Sequence, residues 1–246
     1  MVIVHDRSTA EFARLLAGEL SSTAVCIEYT QFPNSEFRIT PVVVSHPPAL
    51  LIAPQLSNIN ELLALLILEI GNITSKILDV FIPYIPYSRQ DSSASFATVV
   101  SILRHLNVRK IITIDVHKET PGIINILPHE LFGEEFREEG CVVAAPDAGA
   151  IPRARAFATY LGTELITIDK KSGTTENIQA ARGKRCLIVD DIVDTGDTIR
   201  NADAILQTAG AKKILQCISD TARRNLAKFY KPIARKIAEI AAYEGA

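Results

Sequence analysis

The chain has 246 residues, 48% of them apolar and 22% charged, with a net charge of −2. That length supports a sizeable core, while the balanced charge excludes a basic nucleic-acid surface and the longest apolar stretch is too short to span a bilayer. Four widely spaced cysteines (Cys26, Cys141, Cys186, Cys217) form no CxxC pair, and the N-terminus lacks a signal-peptide pattern; with Cys141, Cys186 and Cys217 in apolar runs, buried free thiols in a cytoplasmic protein are the expectation.

Strands and helices alternate along the chain. Residues 2–4 read as a strand. Ser8-Thr-Ala-Glu11 resembles a capping box, and Phe12, Leu15, Leu16 and Leu20 give the following helix its apolar stripe. Phe32-Pro-Asn34-Ser-Glu36 is a turn. Residues 50–53 form a strand, 58–70 a helix and 77–82 a strand. Pro83-Tyr84-Ile-Pro86-Tyr87-Ser-Arg89-Gln90-Asp91 follows, with aromatic rings, a guanidinium and an amide of the kind that suits a nucleotide. A helix over 97–106 precedes a strand over 111–114, which delivers Asp115-Val116-His117 at its end. The charged run 134–139 and Gly140 mark the expected domain boundary, dividing 1–140 from 141–246.

The second half opens with a strand over 141–145 that ends at Pro146-Asp147, and a helix over 151–161 carries Arg153 and Arg155 and stops at Gly162. His117 and Asp147, each at a strand end, are a pair suited to Mg²⁺. A strand over 164–168 leads to Asp169-Lys170-Lys171-Ser172, where lysines are placed to cover a transferring phosphoryl group. The most informative segment follows. The strand Cys186-Leu-Ile-Val surfaces at Asp190-Asp191, and the loop Asp194-Thr195-Gly196-Asp197-Thr198 opens a helix with apolar positions Ile199, Ala202, Ile205 and Leu206. Open parallel sheets bind ligands beyond the carboxyl ends of their strands, and a helix start offers N–H groups to a phosphate. The segment therefore reads as a site for a phosphorylated sugar. A strand over 214–218 and a last helix over about 228–243, packing back onto one domain, complete the chain.

Six segments, in order, resemble the ribose-phosphate pyrophosphokinase (phosphoribosyl-diphosphate synthetase) family: FPNSE, IPYIPYSRQD, IDVHKE, APDAGAIPRARAFA, TIDKKS and VDDIVDTGDT. The resemblance implies an α/β fold of two related phosphoribosyltransferase-like domains, each a mainly parallel sheet flanked by helices, with the active site between them. It implies Mg-dependent transfer of diphosphate from ATP to the 1-hydroxyl of ribose 5-phosphate. By position in these motifs, Phe32, Asn34, Glu36, Arg89, Gln90 and Asp91 match the ATP segments. Asp190, Asp191, Asp194, Thr195, Gly196 and Thr198 match the ribose 5-phosphate loop, His117 and Asp147 the Mg²⁺ positions, and Lys170 the catalytic lysine. Because the FPNSE segment matches a loop that contacts a neighbouring subunit's ATP, a homo-oligomer is implied.

The chain departs from the pattern at several points. The segment after Asp91 is short and uncharged, Ser172 stands at a second catalytic cation, and Ser35 and Pro86 replace glycines. Asp197 occupies a position that is more often small or neutral, and the C-terminal domain lacks a strand and helix. These departures leave a second expectation, a non-catalytic or partner-dependent regulatory relative that binds nucleotide or sugar phosphate.

Overall fold

The computed structural model describes residues 1–40, 49–53, 66–67, 78–85, 87–88, 94–117, 120–137, 140–169, 174–191, 195–219 and 226–242. The expected helix over 58–70 falls almost wholly outside them, as do Pro86, Arg89, Gln90, Asp91, Lys170, Ser172 and Asp194. Two compact units are present: residues 1–125 with 230–246, and residues 126–229. The division lies ahead of the expected break near Gly140, because the helix that precedes Gly140 packs within the second unit.

In the first unit, β1 (Val2–His5), β2 (Thr23–Cys26), β5 (Ala49–Ile52), β6 (Leu78–Phe81), β7 (Val108–Ile114) and β8 (Ile123–Ile126) form, among the described residues, a six-stranded sheet. The strands lie in the order β2-β1-β5-β6-β7-β8, and the pairs β1/β2, β1/β5, β5/β6 and β6/β7 are parallel. All four residues of β1, β5 and β6 are buried, the continuous burial expected when a parallel sheet is covered on both faces. A separate hairpin pairs β3 (Tyr29–Gln31) with β4 (Phe37–Ile39) antiparallel.

Helix α1 (Ala10–Glu19) buries Phe12, Ala13, Leu16 and Ala17. Of the expected stripe only Phe12 and Leu16 face the core, while Leu15 is 40% exposed and Leu20 lies past the helix end, because the buried face is centred on Ala13 and Leu16 and the small alanines fill it. Its entry differs from the expected capping box. Ser8 lies within a 3₁₀ turn over Arg7–Thr9, and the Asp6 carboxylate accepts from the Thr9 amide at 3.2 Å and the Ser8 hydroxyl at 2.7 Å. Helix α2 (Ser95–His105) follows between β6 and β7. The last helix, Tyr230–Ala242, joins this unit: the Phe12 ring lies 5.1 Å from Tyr230 and 5.5 Å from Phe81. Lys110, buried on β7, donates to the Ile240 carbonyl at 3.4 Å near the end of that helix, where a cation suits the negative end of the dipole.

Among the described residues, the second unit holds the five-stranded sheet β11-β10-β9-β12-β13, built from β9 (Cys141–Ala145), β10 (Leu165–Asp169), β11 (Thr174–Glu176), β12 (Arg185–Asp190) and β13 (Lys213–Ile218). Here β10/β9, β9/β12 and β12/β13 are parallel, and the edge strand β11 runs antiparallel to β10. Mixed α/β architecture with parallel sheets flanked by helices is thus present, as expected. Helices α3 (Pro128–Arg137), α4 (Ile151–Leu161) and α5 (Asp197–Thr208) accompany this sheet; with them numbered, the chain's last helix is α6. The strongly apolar periodicity of α4 and α5 announces them, and Gly162 caps α4 with a left-handed φ of 65°. Short β2, β3, β4, β8 and β11, and helix α3, are elements the sequence pattern does not announce. Among the described residues, no helix is long and apolar enough to cross a membrane.

Candidate functional site

The carboxyl edge of the second sheet carries the chemistry. β12 is buried throughout its last five residues and ends in Asp190, with Asp191 next. Asp190 pairs with Ile218 on β13, so its Cα is fixed by the sheet rather than by a loop. The Asp191 amide donates to Asp190 Oδ1 at 2.9 Å. Asp190 and Asp191 are 7% and 4% exposed, and two adjacent buried carboxylates cannot both ionise cheaply. Burial first, and then the neighbouring Asp191 charge with a further contribution from Asp147, push the Asp190 carboxyl up to about 7.

Asp147 and Arg153 reach this edge from the next strand–helix connection. Asp147, two residues beyond β9, accepts from the Ala150 amide at 3.0 Å and so closes the turn into α4. One turn later the buried Arg153 approaches Asp191 at 3.6 Å. The motif pattern puts Arg153 on this helix but gives it no role; its partner is 38 residues away in sequence (191 − 153), and only the folded sheet edge brings the two together.

Thr195 and Gly196 precede α5, and Gly196 takes a left-handed φ of 81° before the helix begins at Asp197. That conformation favours glycine. Thr195 and Thr198 stand at this helix start, where first-turn N–H groups have no partner within the helix; the Asp197 amide donates to the Thr195 hydroxyl at 3.4 Å. Asp197, the unusual carboxylate, is neutralised locally: Arg200 Nη2 donates to it at 2.6 Å and the Thr195 hydroxyl at 2.7 Å. Arg200 also donates to the Thr195 carbonyl at 2.9 Å. The cation that an acidic residue needs beside an anion site is therefore supplied one turn along the same helix.

The candidate residues of the first unit lie on separate elements. Phe32, Asn34 and Glu36 form the β3–β4 turn, where the Phe32 amide donates to the Glu36 carbonyl at 2.8 Å and the Glu36 amide to Asn34 Oδ1 at 3.3 Å. Ser35 adopts φ 73° in this turn, so the position does demand the left-handed region, and a non-glycine residue occupies it at a cost of about 1–2 kcal/mol. Phe32, Tyr84 and Tyr87 are exposed at 41%, 37% and 45%. His117 follows β7 after Asp115, whose φ is 45°, and the Val116 amide between them donates to Asn125 Oδ1 at 3.0 Å.

Hard oxygen donors and an imidazole fit a magnesium ion. Among the described residues, no group of three or more His, Cys, Asp or Glu side chains is arranged to hold a metal.

Comparison with known proteins adds independent weight. Residues 122–231 match the phosphoribosyl transferase domain family. The chain is 29% identical over 240 residues to the ribose-phosphate pyrophosphokinase of Wolinella succinogenes, covering 86% of this chain and 75% of that one. It is 36% identical over 156 residues to the Thermococcus kodakarensis protein of the same name, covering 56% of each chain. Among solved structures, it resembles a phosphoribosylpyrophosphate synthetase from Mycobacterium smegmatis with a TM-score of 0.73 and 25% identity, covering 87% of this chain and 79% of that one.

Proposed function

The chain is a relative of the ribose-phosphate pyrophosphokinases, and from that premise we propose that it makes phosphoribosyl diphosphate by moving the diphosphate of ATP onto the 1-hydroxyl of ribose 5-phosphate. The observation that carries this reading is the carboxyl edge of the second sheet. Asp190, the last residue of β12, and Asp191 next to it are followed within six residues of Asp191 by Thr195, Gly196 and the start of α5. Carboxylates accept from ribose hydroxyls, while hydroxyl groups and helix N–H groups donate to the 5-phosphate. Asp194 completes this set by its place in the motif.

ATP would be met by the Phe32–Asn34–Glu36 turn and by Arg89, Gln90 and Asp91, with the turn serving a neighbouring copy in a homo-oligomer. His117 and Asp147 would hold Mg²⁺, which supplies neutralisation of charge on the diphosphate oxygens. Lys170 would place an ammonium on the transferring group, where positioning and charge do most of the catalytic work. Asp191 would orient the sugar so that its 1-hydroxyl presents to ATP.

The test is AMP formation by purified protein supplied with ATP, Mg²⁺ and ribose 5-phosphate, set against a control without sugar. Sugar-dependent AMP is expected, and Lys170→Ala is expected to abolish it while ribose 5-phosphate still binds. Absence of AMP with ribose 5-phosphate still bound would replace the kinase with a regulatory or partner-dependent relative.

A further inference from the structure

One charged contact at the sugar-phosphate edge works against local stability. Arg153 is the third residue of α4, and a cation in the first turn opposes the positive end of the helix dipole. Its side chain is only 7% exposed, as is Asp191 at 6%, and removing both charges from water adds a desolvation penalty that burial of apolar residues would avoid. Neither helix formation nor core packing explains a guanidinium at this position.

Its surroundings do. Asp191 is adjacent to a second buried carboxylate, Asp190, and the Asp147 charge also acts on that neighbour. Like-charge repulsion would drive an uncompensated Asp191 to turn away from this group. Arg153 Nη2 at 3.6 Å from Asp191 Oδ2 opposes that. At that distance the attraction is electrostatic rather than a hydrogen bond, so this contact orients the carboxylate without consuming an acceptor position. The helix that holds Arg153 is itself anchored at the same edge, since Asp147 accepts from the Ala150 amide at 3.0 Å in the turn that starts it.

We propose that Arg153 is a positioning residue for ribose 5-phosphate: it fixes the Asp191 carboxylate as an oriented acceptor for the sugar hydroxyls. The proposal rests on the reading of Asp190, Asp191 and the start of α5 as the ribose 5-phosphate site. Arg153 acts through Asp191 and does not itself touch the sugar. Its effect on binding must therefore vanish when Asp191 can no longer be held.

A double-mutant cycle read by calorimetry with ribose 5-phosphate tests this. Arg153→Met and Asp191→Asn are each expected to raise the Kd by about tenfold, and the double variant to bind no more weakly than either single one. Arg153→Lys, which keeps the charge but loses the planar reach, is expected to recover part of the loss. Should Arg153→Met fail to fold, the same cycle with Arg153→Lys carries the comparison, thermal denaturation showing that the variants are native. Penalties that multiply in the double variant would overturn the proposal, since Arg153 would then act independently of Asp191, on the sugar phosphate or on the fold. Wild-type affinity in Arg153→Met would overturn it as well. If the unaltered protein gave no heat with ribose 5-phosphate, the site reading itself would fall, an outcome distinct from either.

Discussion

Asp190 shows how far a residue's chemistry departs from its type once the sheet has formed. Its folded carboxyl titrates near 7 against an ordinary 3.8, burial being the first cause and the Asp191 charge the second. A carboxyl whose folded value is raised holds its proton where the unfolded chain has lost it. Its stabilising contribution is present below about pH 4 and is lost as pH rises through 7. In buffer free of Mg²⁺ and sugar phosphate, Asp190→Asn is therefore expected to narrow the gap between melting temperatures at pH 5 and pH 8. Asn keeps an oxygen for the Asp191 amide, so packing is conserved. An unchanged gap in thermal denaturation would show that Asp190 ionises normally. Ser35 and Asp197 show the converse case, residues that stand out in sequence and are resolved locally. Ser35 accepts a strained φ of 73°, and Asp197 is balanced by Arg200 at 2.6 Å.

At the scale of elements, α3 and α4 explain why the second unit begins earlier than the charged run suggests. Gly133 on α3 lets Tyr160 of α4 pack directly against its backbone, since a Cβ there would collide with the ring. Around it, Arg137 lies over the Tyr160 ring at 4.9 Å, Phe136 faces Phe157 at 5.9 Å, and the Tyr160 hydroxyl donates to Glu134. The charged residues Glu134, Glu135 and Arg137 are thus part of a packed helix rather than a linker. Gly133→Ala improves helix propensity by about 1 kcal/mol but forces the ring aside, and overpacking of this kind costs about 1–3 kcal/mol. A net loss of stability is expected in urea denaturation. A gain would mean that Tyr160 yields without cost and that the close approach does not hold α3 to α4.

For the whole molecule, the consequential feature is that the chain leaves its first unit at residue 125 and returns to it at 230. The first unit is therefore discontinuous, and α6 supplies part of its core through Ile233, Ala234 and Ile237, all at or below 1% exposure, with Tyr230 against Phe12. Ending the chain after Phe229 uncovers this apolar face. Calorimetry of that truncated chain is expected to show a lowered, aggregation-prone transition, while limited proteolysis leaves residues 126–229 protected. A melting profile identical to that of the full chain would show that α6 is dispensable.

Short-range physics accounts for the features that could be read along the chain. Short apolar runs specify β1, β6, β9, β10 and β12, and period-3.6 stripes specify α1, α4 and α5, because burial of one face or two is written directly into the residues. The six motifs, in order, likewise place Asp147, Asp190, Asp191, Thr195 and Thr198 at strand ends and a helix start, where the fold puts them. Short elements such as β2, β3, β4 and β8 were not legible, since three or four residues with mixed exposure carry too little period. The pairing of Arg153 with Asp191, the shifted charge state of Asp190 and the return of α6 to the first unit emerge only on folding. Each depends on groups far apart in sequence meeting where water is excluded, and both the cost of a charge and the worth of an apolar face are set by that meeting.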